Sequence, residues 1–232
     1  MARSSLILFD IDGTLLSTGG SGYRSFMTSC REVLGITGQI DGVYMAGKLD
    51  RVIFQEIIER FRPDLALSDI APCWHRFRDM YIELLGRESR QPENWRLMPG
   101  VEPLLEFCSR QDSLALLTGN IREGAYIKLA ALGIEEYFPV GGFGEKSITR
   151  SQLAKVAWEE AEKYYQTVFS QDDIFVIGDT TSDIQAGKSI GARTIAVATG
   201  TVSQKELSAA GADLLVSDFA SGADNVRRFI SR

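Results

Sequence analysis

Five short apolar runs, each followed by turn residues, constrain the fold of this 232-residue chain more than any other feature of its sequence. Each run is too short for a helix and apolar throughout, which is typical of a strand buried on both faces. Amphipathic segments that end at glycine separate several of the runs. Because alternating strands and helices build parallel sheets, we predict an α/β fold, a doubly wound parallel sheet with helices on both faces. The runs span residues 6–9, 114–117, 174–177, 194–197 and 214–216.

The alternation stops between about residues 17 and 95, where the pattern is helical and no buried strand is convincing. Ser68 and Asp69 are typical helix-opening residues, and they place Pro72 in the first turn of the last helical pattern. An inserted helical unit after the first strand explains this region most simply. The predicted helices cover residues 23–34, 48–61 and 70–85.

Glycine and proline clusters at both ends of the insertion are candidate hinges, at residues 19–22 and 90–100. The chain is also longer than the usual single domain. We therefore expect two domains. Residues 1–16 and 96–232 form the α/β core, and residues 17–95 form a helical cap, or lid.

Charge and residue counts exclude several classes of function. The net charge of −6 argues against a broad basic face for nucleic acid or an anionic membrane. The first apolar run is too short for a signal peptide, so we expect a cytoplasmic location. Cys30, Cys73 and Cys108 form no CxxC pair and are expected to be reduced core residues. His75, the single histidine, lies in a helical pattern, which argues against Ser-His and Cys-His mechanisms.

Two aspartates directly follow the first predicted strand. Asp10 and Asp12 lie at its carboxyl end, where open α/β sheets bind ligands, and Gly13 permits a sharp turn after them. Residues two apart on a strand point to the same side, so both carboxylates can face one crevice. A helix cap or an Asx turn is the alternative interpretation.

A second acidic pair, Asp179 and Asp183, follows the strand predicted at residues 174–177. Together with Asp10 and Asp12 it makes four carboxylates that we expect to converge. Two like charges about 4 Å apart cost on the order of 4 kcal/mol at an effective dielectric near 20, and a bound cation relieves that cost. All-oxygen ligands select a hard ion, and a phosphate substrate favours Mg²⁺ over Ca²⁺.

Polar groups also follow the strand predicted at residues 114–117. Thr118 offers a hydroxyl, and Gly119 and Asn120 offer backbone N–H groups, all suited to binding phosphate oxygens. The alternative is that Thr118 is a plain N-cap of the next helix.

These three clusters, in this order, resemble motifs one, two and four of the haloacid dehalogenase-like hydrolase superfamily, in its phosphatase branch. The resemblance implies that Asp10 is the nucleophile and Asp12 the general acid and base. It implies that Mg²⁺ is held by Asp10, the backbone carbonyl of Asp12 and Asp179. Asp183 then assists, and Thr118 binds the phosphoryl group. It also implies the strand order five-four-one-two-three, with the site at the junction of lid and core. An acid at position 12 favours phosphate esters over halides, because a halide leaves without a proton.

The third motif of this superfamily, a Lys or Arg near the nucleophile, has two candidates. Arg150 directly precedes a predicted helix over residues 151–164, and Lys146 lies in the loop before it. We favour Arg150, since some phosphatases of this branch have an arginine before that helix. Lys146 remains the alternative, and a solvated surface charge is the other interpretation of either residue.

A glycine-containing loop in the lid is a candidate substrate contact. Related phosphatases carry similar loops that face the active site, which suggests Gly47 and Lys48, with Tyr44 and Arg51 beside them. An ordinary helix start, with Asp50 near the N-terminal dipole, is the alternative.

The sequence therefore predicts hydrolysis of a phosphate monoester on a small phosphorylated metabolite. Phosphoglycolate is the first substrate to test, before sugar phosphates and nucleotide monophosphates. Two alternatives remain: a phosphomutase of the same branch, similar to β-phosphoglucomutase, and a binding protein that has lost activity. We expect neither nucleic-acid nor membrane partners, and a monomer or homodimer.

Overall fold

A computed structural model describes residues 5–145 and 149–231 of the chain. Eight strands are found there, numbered in chain order. Six form one parallel sheet, and the other two pair with each other in antiparallel fashion. The strands are β1 Leu6–Phe9, β2 Leu16–Ser17, β3 Arg96–Leu97, β4 Ser113–Leu117, β5 Gly141–Gly142, β6 Ile174–Gly178, β7 Arg193–Val197 and β8 Leu214–Val216.

Nine α-helices and two short 3-10 turns connect these strands in the described residues. The helices are α1 Ser21–Leu34, α2 Asp50–Phe61, α3 Leu67–Glu88, α4 Val101–Cys108, α5 Arg122–Ala130, α6 Arg150–Tyr165, α7 Thr181–Ser189, α8 Gln204–Ala209 and α9 Phe219–Ile230. The 3-10 turns are Glu135–Tyr137 and Gln171–Asp173.

The large sheet has the order β5-β4-β1-β6-β7-β8, and all of its strand pairs are parallel. Counting β1, β4, β5, β6 and β7 as one to five, this is the predicted five-four-one-two-three order with β8 added beyond strand five. All five predicted apolar runs are strands, and helices pack on both faces, so the predicted fold class is confirmed. β1 lies between β4 and β6, which brings the ends of these three strands together.

β5 carries no apolar run, and the sequence did not predict it. It consists of Gly141 and Gly142. A Cβ on Gly141 would lie 2.6 Å from Cβ of Leu116 on β4, and one on Gly142 would lie 3.0 Å from Cβ of Ala157 on α6. Both residues of β5 are therefore glycine, because the backbone lies too close to β4 and α6 to leave room for a side chain.

β2 and β3 link the two segments that connect the helical insertion to the sheet. Leu16 pairs with Leu97 and Ser17 with Arg96. The sequence predicted hinges at residues 19–22 and 90–100, and no strand here. The two residues of each strand are too few for a periodic signal, so the pairing escapes sequence analysis.

The third helix of the insertion begins earlier than predicted. α3 starts at Leu67, and its N-cap, Ala66, makes no side-chain capping hydrogen bond. Ser68 and Asp69 therefore lie inside the first turn, and Pro72 lies inside the helix beyond that turn. The prediction that placed Pro72 in the first turn is wrong. Its side chain is exposed, and Asp69 still benefits from the helix dipole.

Aromatic side chains form the core of the helical insertion. The ring of Phe77 stacks with those of Trp74 and Tyr81, with centroids 5.3 and 5.7 Å away. Phe26 makes a T-shaped contact with the same ring, and Phe54 a tilted one. This cluster extends to Ile121, which precedes α5 of the sheet domain. The insertion thus has its own core and docks on the end of the sheet through it.

The state of the cysteines and the character of the helices can be read from the described residues. Cys30, Cys73 and Cys108 are all buried free thiols, as predicted. None of the helices in residues 5–145 and 149–231 has the length and apolar character needed to cross a bilayer.

Candidate active site

Three buried carboxylates meet at the carboxyl ends of β1 and β6. Asp10 follows β1, Asp179 follows β6, and Asp183 lies in the first turn of α7. These residues are only 6, 3 and 2% exposed. Each offers a carboxylate oxygen within 4.8 Å of the other two, which is a geometry that could hold a metal ion.

A capping box fixes Asp183. Thr180 is the N-cap of α7, and its backbone N–H and hydroxyl both donate to Oδ2 of Asp183, at 3.0 and 2.6 Å. The other oxygen, Oδ1, is buried and has no well-aligned hydrogen bond within the described residues. The cation next to that oxygen is the guanidinium of Arg150, whose Nη2 lies 2.5 Å away.

Asp179 is held by the turn after β1 and by the loop after β7. The hydroxyl of Thr14 donates to Oδ1 of Asp179 at 2.9 Å. A Cβ on Gly200 would overlap with Oδ2 of Asp179, and one on Gly13 would lie 2.5 Å from the same oxygen. The hydroxyl of Thr199 donates to the carbonyl of Gly13 at 2.5 Å and joins the two segments. Neither Thr14 nor Gly200 was identified from the sequence.

Arg150 places a guanidinium among the carboxylates. Its Nη2 lies 2.7 Å from Oδ1 of Asp10 and 2.5 Å from Oδ1 of Asp183, and it donates to the carbonyl of Leu117 at 3.1 Å. Arg150 is the first residue of α6, whose N-cap Thr149 forms a capping box. Lys146, the other candidate for the third motif, lies outside the described residues.

Burial governs the protonation of the acidic cluster. It raises the pKa of Asp10 to about 6, with a further rise from neighbouring carboxylates and a partial offset from Arg150. It raises the pKa of Asp179 to about 8, where Asp10 and Asp183 add to the rise. Burial lowers the pKa of Arg150, but its carboxylate neighbours outweigh that effect and the net shift is upward.

The donor set fits a hard divalent cation. One guanidinium faces three buried carboxylates, so the cluster lacks positive charge when all three are ionised. Every donor is an oxygen, the type of ligand that Mg²⁺ prefers. Oδ1 of Asp183, whose contact is the charged Arg150, can turn to a second cation.

Asp12 does not join the acidic cluster, although the sequence predicted four converging carboxylates. Its Oδ2 accepts from Nζ of Lys128 at 2.6 Å and from Nδ2 of Asn120 at 2.8 Å. β1 ends at Phe9, so strand alternation no longer governs the direction of residue 12. Within the described residues, therefore, three carboxylates cluster and the fourth side chain turns to a lysine.

Lys128 was not identified from the sequence. It lies on α5 and is 3% exposed, and its Nζ also donates to Oδ1 of Asn120 at 2.6 Å. One signal was available, because Lys128 shares the buried face of α5 with Ala125 and Leu129. A lysine on an otherwise apolar helix face is almost never buried without a partner.

The residues after β4 connect the site to the lid. Thr118 is fully buried, and its hydroxyl oxygen accepts from Nδ2 of Asn120 at 2.8 Å. A Cβ on Gly119 would overlap with the carbonyl oxygen of Lys48. The carbonyl of Gly119 accepts from the backbone N–H of Asp50 at 2.8 Å. The lid loop is therefore in backbone contact with the predicted phosphate-binding turn.

The lid contributes a glycine contact and a buried acid. A Cβ on Gly47 would lie 2.7 Å from the hydroxyl of Ser182, so this loop also touches the start of α7. Asp50 is buried, and its Oδ2 accepts from the backbone N–H of Ile121 at 2.9 Å. Burial raises the pKa of Asp50 to about 7, against the lowering effect of Lys128.

Three lid side chains differ in their relation to the site. Lys48 lines the cavity, but its ammonium pairs with Glu56 at 2.5 Å. Arg51 stacks on Trp74 at 4.7 Å within the lid. Tyr44 is exposed, and neither it nor Arg51 is among the described residues that line the cavity.

A cavity of about 480 Å³ opens beside these groups. Asp10, Asp12 and Arg150 line one part of it, and residues of the helical insertion line another. The volume falls in the range typical of sites for small molecules. The lid residues that line it include Tyr23, Met45, Ile53 and Tyr81.

Known proteins resemble this chain over most of its length. The model of the family described as haloacid dehalogenase-like hydrolase matches residues 7–197. A curated protein named phosphoglycolate phosphatase, from Aquifex aeolicus (strain VF5), is 26% identical over 202 residues, with 82% of each chain covered.

Solved structures share the fold. CbbY from Rhodobacter sphaeroides, in complex with phosphate, has a TM-score of 0.73 at 20% identity, with 95% of this chain and 96% of that chain covered. A predicted phosphoglycolate phosphatase from Haemophilus somnus 129pt has a TM-score of 0.72 at 19% identity, with coverage of 97 and 99%. β-Phosphoglucomutase from Clostridium difficile has a TM-score of 0.73 at 16% identity, with coverage of 98 and 97%.

Proposed function

This chain is a phosphatase that belongs to the haloacid dehalogenase-like hydrolase family, and on that premise we propose that it hydrolyses small phosphate monoesters with Mg²⁺ through a phosphoryl group carried by Asp10. The observation that carries the proposal is the buried cluster of Asp10, Asp179 and Asp183, of which Asp10 and Asp179 line the cavity together with Asp12. A phosphoryl acceptor, a cation site and a proton donor then share one small space.

Asp10, Asp179 and the backbone carbonyl of Asp12 would hold the ion, with Asp183 assisting. When bound, Mg²⁺ supplies positive charge that stabilises the oxygens of the transferred phosphoryl group. Arg150 contributes fixed positive charge to the same place, since it contacts Asp10 and Asp183 directly. We propose that the Thr118 hydroxyl and the backbone N–H groups of the turn after it bind the remaining phosphoryl oxygens.

The reaction has two steps on this chain. In the first, a carboxylate oxygen of Asp10 bonds to phosphorus, the bond from phosphorus to the ester oxygen breaks, and a proton from Asp12 passes to that leaving oxygen. In the second, water bonds to phosphorus, its proton passes to Asp12, and the bond from phosphorus to Asp10 breaks. Inorganic phosphate leaves, and both aspartates return to their starting states.

The lid and the cavity define the class of substrate. The contacts of Gly47 and Asp50 with the sheet domain enclose the cavity, which favours a reaction sheltered from bulk water. We propose residues 17–95 as this lid. A volume of about 480 Å³ suits a small phosphorylated metabolite. Phosphoglycolate is the first candidate, since the curated relative bears that name, followed by sugar phosphates and nucleotide monophosphates.

A phosphate-release screen tests the proposal. Phosphoglycolate, sugar phosphates and nucleoside monophosphates are offered with Mg²⁺ and with a chelator, to wild type and to Asp10→Asn. We expect release from at least one ester, dependent on Mg²⁺ and lost in Asp10→Asn. Asp172→Asn, which makes the same change at an exposed position, is the matched control.

Two other outcomes would contradict the proposal. Conversion of one sugar phosphate into its isomer with little free phosphate would indicate a phosphomutase. Binding of phosphate esters without any turnover would indicate a protein that has lost activity.

A further inference from the structure

A buried lysine contacts the side chain to which the proposed mechanism assigns proton transfer. Lys128 is 3% exposed, and its Nζ lies 2.6 Å from Oδ2 of Asp12. The superfamily motifs identified in the sequence do not include this residue. Its place in the site follows from the fold, because α5 begins directly after the turn that carries Thr118.

Lys128, Asn120 and Asp12 form a closed set of hydrogen bonds. Nζ of Lys128 donates to Oδ1 of Asn120 at 2.6 Å, and Nδ2 of Asn120 donates to Oδ2 of Asp12 at 2.8 Å. Lysine has only donors, so it fixes the orientation of the Asn120 amide. Each member therefore restricts the rotamers of the other two.

The lid completes this arrangement. Gly22, in the first turn of α1, packs against Lys128, and a Cβ there would lie 3.4 Å from Cε and 3.5 Å from Nζ. The ammonium group is thus shielded from solvent by the lid and directed towards the cavity, whose lining includes Gly22, Lys128 and Asp12.

A purely stabilising role does not account for the choice of partner. A buried lysine needs a counter-charge, and the buried Asp50 is near enough to interact with it electrostatically. The hydrogen bond goes instead to Asp12, whose side chain is 45% exposed and could be solvated without help. Burying the ammonium group of Lys128 costs free energy, and the result is a hydrogen bond to Asp12, a side chain that faces the cavity.

Both donors bind the same oxygen of Asp12. Oδ2 accepts from Lys128 and from Asn120, whereas Oδ1 accepts no hydrogen bond from the described part of the chain. The two donors therefore occupy one oxygen of the carboxyl group and leave the other unengaged by the chain. That oxygen is left free to meet the leaving oxygen of the ester.

We propose that Lys128 is a positioning residue that, with Asn120, fixes Oδ2 of Asp12 and reserves Oδ1 for proton transfer. The inference rests on the proposed function, in which Asp12 protonates the leaving oxygen as the bond from phosphorus to that oxygen breaks. Lys128 itself transfers no proton and contacts no reacting atom.

Two esters of similar size separate this role from a structural one. The leaving oxygen of benzyl phosphate needs a proton, whereas that of p-nitrophenyl phosphate departs readily without one. kcat/KM reports the steps up to departure of the leaving group, so it is measured for both esters. For Lys128→Met we expect kcat/KM to fall about 100-fold for benzyl phosphate, the usual worth of a positioned acid, and much less for p-nitrophenyl phosphate.

Matched variants complete the experiment. Lys155→Met, at a lysine that is 73% exposed on α6, should leave both esters unaffected. In an Asp12→Asn background, Lys128→Met should have no further effect on benzyl phosphate, because a residue acting through Asp12 cannot act once the acid is gone. Lys128→Gln, which keeps one donor, should show the same selectivity with a smaller loss.

Equal losses for both esters, additive effects with Asp12→Asn, or failure of both Lys128 variants to fold would overturn the inference. If wild type hydrolyses neither ester, the proposed function fails. If wild type hydrolyses both and the selectivity is absent, only the role of Lys128 fails.

Discussion

Nη2 of Arg150 lies 2.7 Å from Oδ1 of Asp10, and both side chains are less than 10% exposed. The same nitrogen contacts Asp183, so one guanidinium is shared between two of the three clustered carboxylates. The pKa of Asp10 is nevertheless raised, chiefly by burial. The site is therefore short of positive charge unless a cation is bound.

Arg150→Met should lower both activity and stability. Removing one member of a buried ion network leaves the others uncompensated, which costs about 3–5 kcal/mol. We expect a loss of that order in the free energy of unfolding at pH 8 with a chelator present, measured by urea titration, together with a fall in phosphate release. Arg76→Met changes an exposed arginine and is the control. Equal stability of the two variants would show that Arg150 does not offset the carboxylates.

Without metal, the protein should become less stable as the pH rises from about 4 to about 8. The pKa values of Asp10 and Asp179 are raised from 3.8 to about 6 and about 8, and that of Asp50 to about 7. The folded state then binds more protons than the unfolded state, so this stability is complete below about pH 4 and is lost as each raised pKa is passed. The free energy of unfolding in chelator measures the effect.

Mg²⁺ should reduce the loss of stability at rising pH, because a cation that binds only the folded state stabilises that state. Asp179→Asn should remove much of the pH dependence and weaken the response to Mg²⁺. A metal-free stability that increases steadily over this pH interval would contradict the burial of these carboxylates.

Gly200→Ala should abolish Mg²⁺ binding. A Cβ at this position overlaps with Oδ2 of Asp179, so the carboxylate must move. We expect the thermal shift caused by Mg²⁺ in wild type to disappear, along with phosphate release. Gly86→Ala is the matched control, since a Cβ there meets nothing within 4 Å. Gly86 lies inside α3, so alanine should stabilise the protein by up to about 1 kcal/mol and leave the Mg²⁺ shift intact.

Asp50→Ala should loosen the lid. It removes the carboxylate that accepts from the backbone N–H of Ile121, and an unsatisfied buried donor costs about 1–3 kcal/mol. We expect a higher KM and faster proteolysis within the lid, with kcat changed less. Asp50→Asn keeps an acceptor and should have a smaller effect. Asp69→Ala, at an exposed first-turn aspartate of α3, should change neither KM nor the rate of proteolysis. If Asp69→Ala raised both as Asp50→Ala does, the effect would come from the loss of any acidic residue and not from the contact with Ile121.

The sheet and its acidic residues could be predicted because their signals are local. β1, β4 and β6 are continuous apolar runs, and Asp10, Thr118 and Asp179 follow them directly, so the strand order brings these residues together. β5 could not be predicted in the same way. Its two glycines are required by the close approach of Leu116 and α6, which are distant in the sequence.

The residues that surround the acidic cluster were missed for a related reason. Lys128 lies 116 positions from Asp12, and Gly200 meets Asp179 only because the loop after β7 folds back over it. The side chain of Asp12 contacts Lys128 and Asn120, which are distant in the sequence, so the sequence alone did not show that it lies outside the cluster of three carboxylates. Such contacts depend on side-chain placement in the finished fold.

Trapping the phosphoryl group on Asp10 is the most direct test of the mechanism. Wild type is mixed with p-nitrophenyl phosphate and Mg²⁺, quenched in acid during turnover, and digested for mass spectrometry. We predict one phosphoryl group on the peptide that contains Asp10. It should disappear when the substrate is used up before the quench, and it should be absent from Asp10→Asn. Steady turnover without any phosphoryl group on Asp10, or wild-type turnover by Asp10→Asn, would contradict the account.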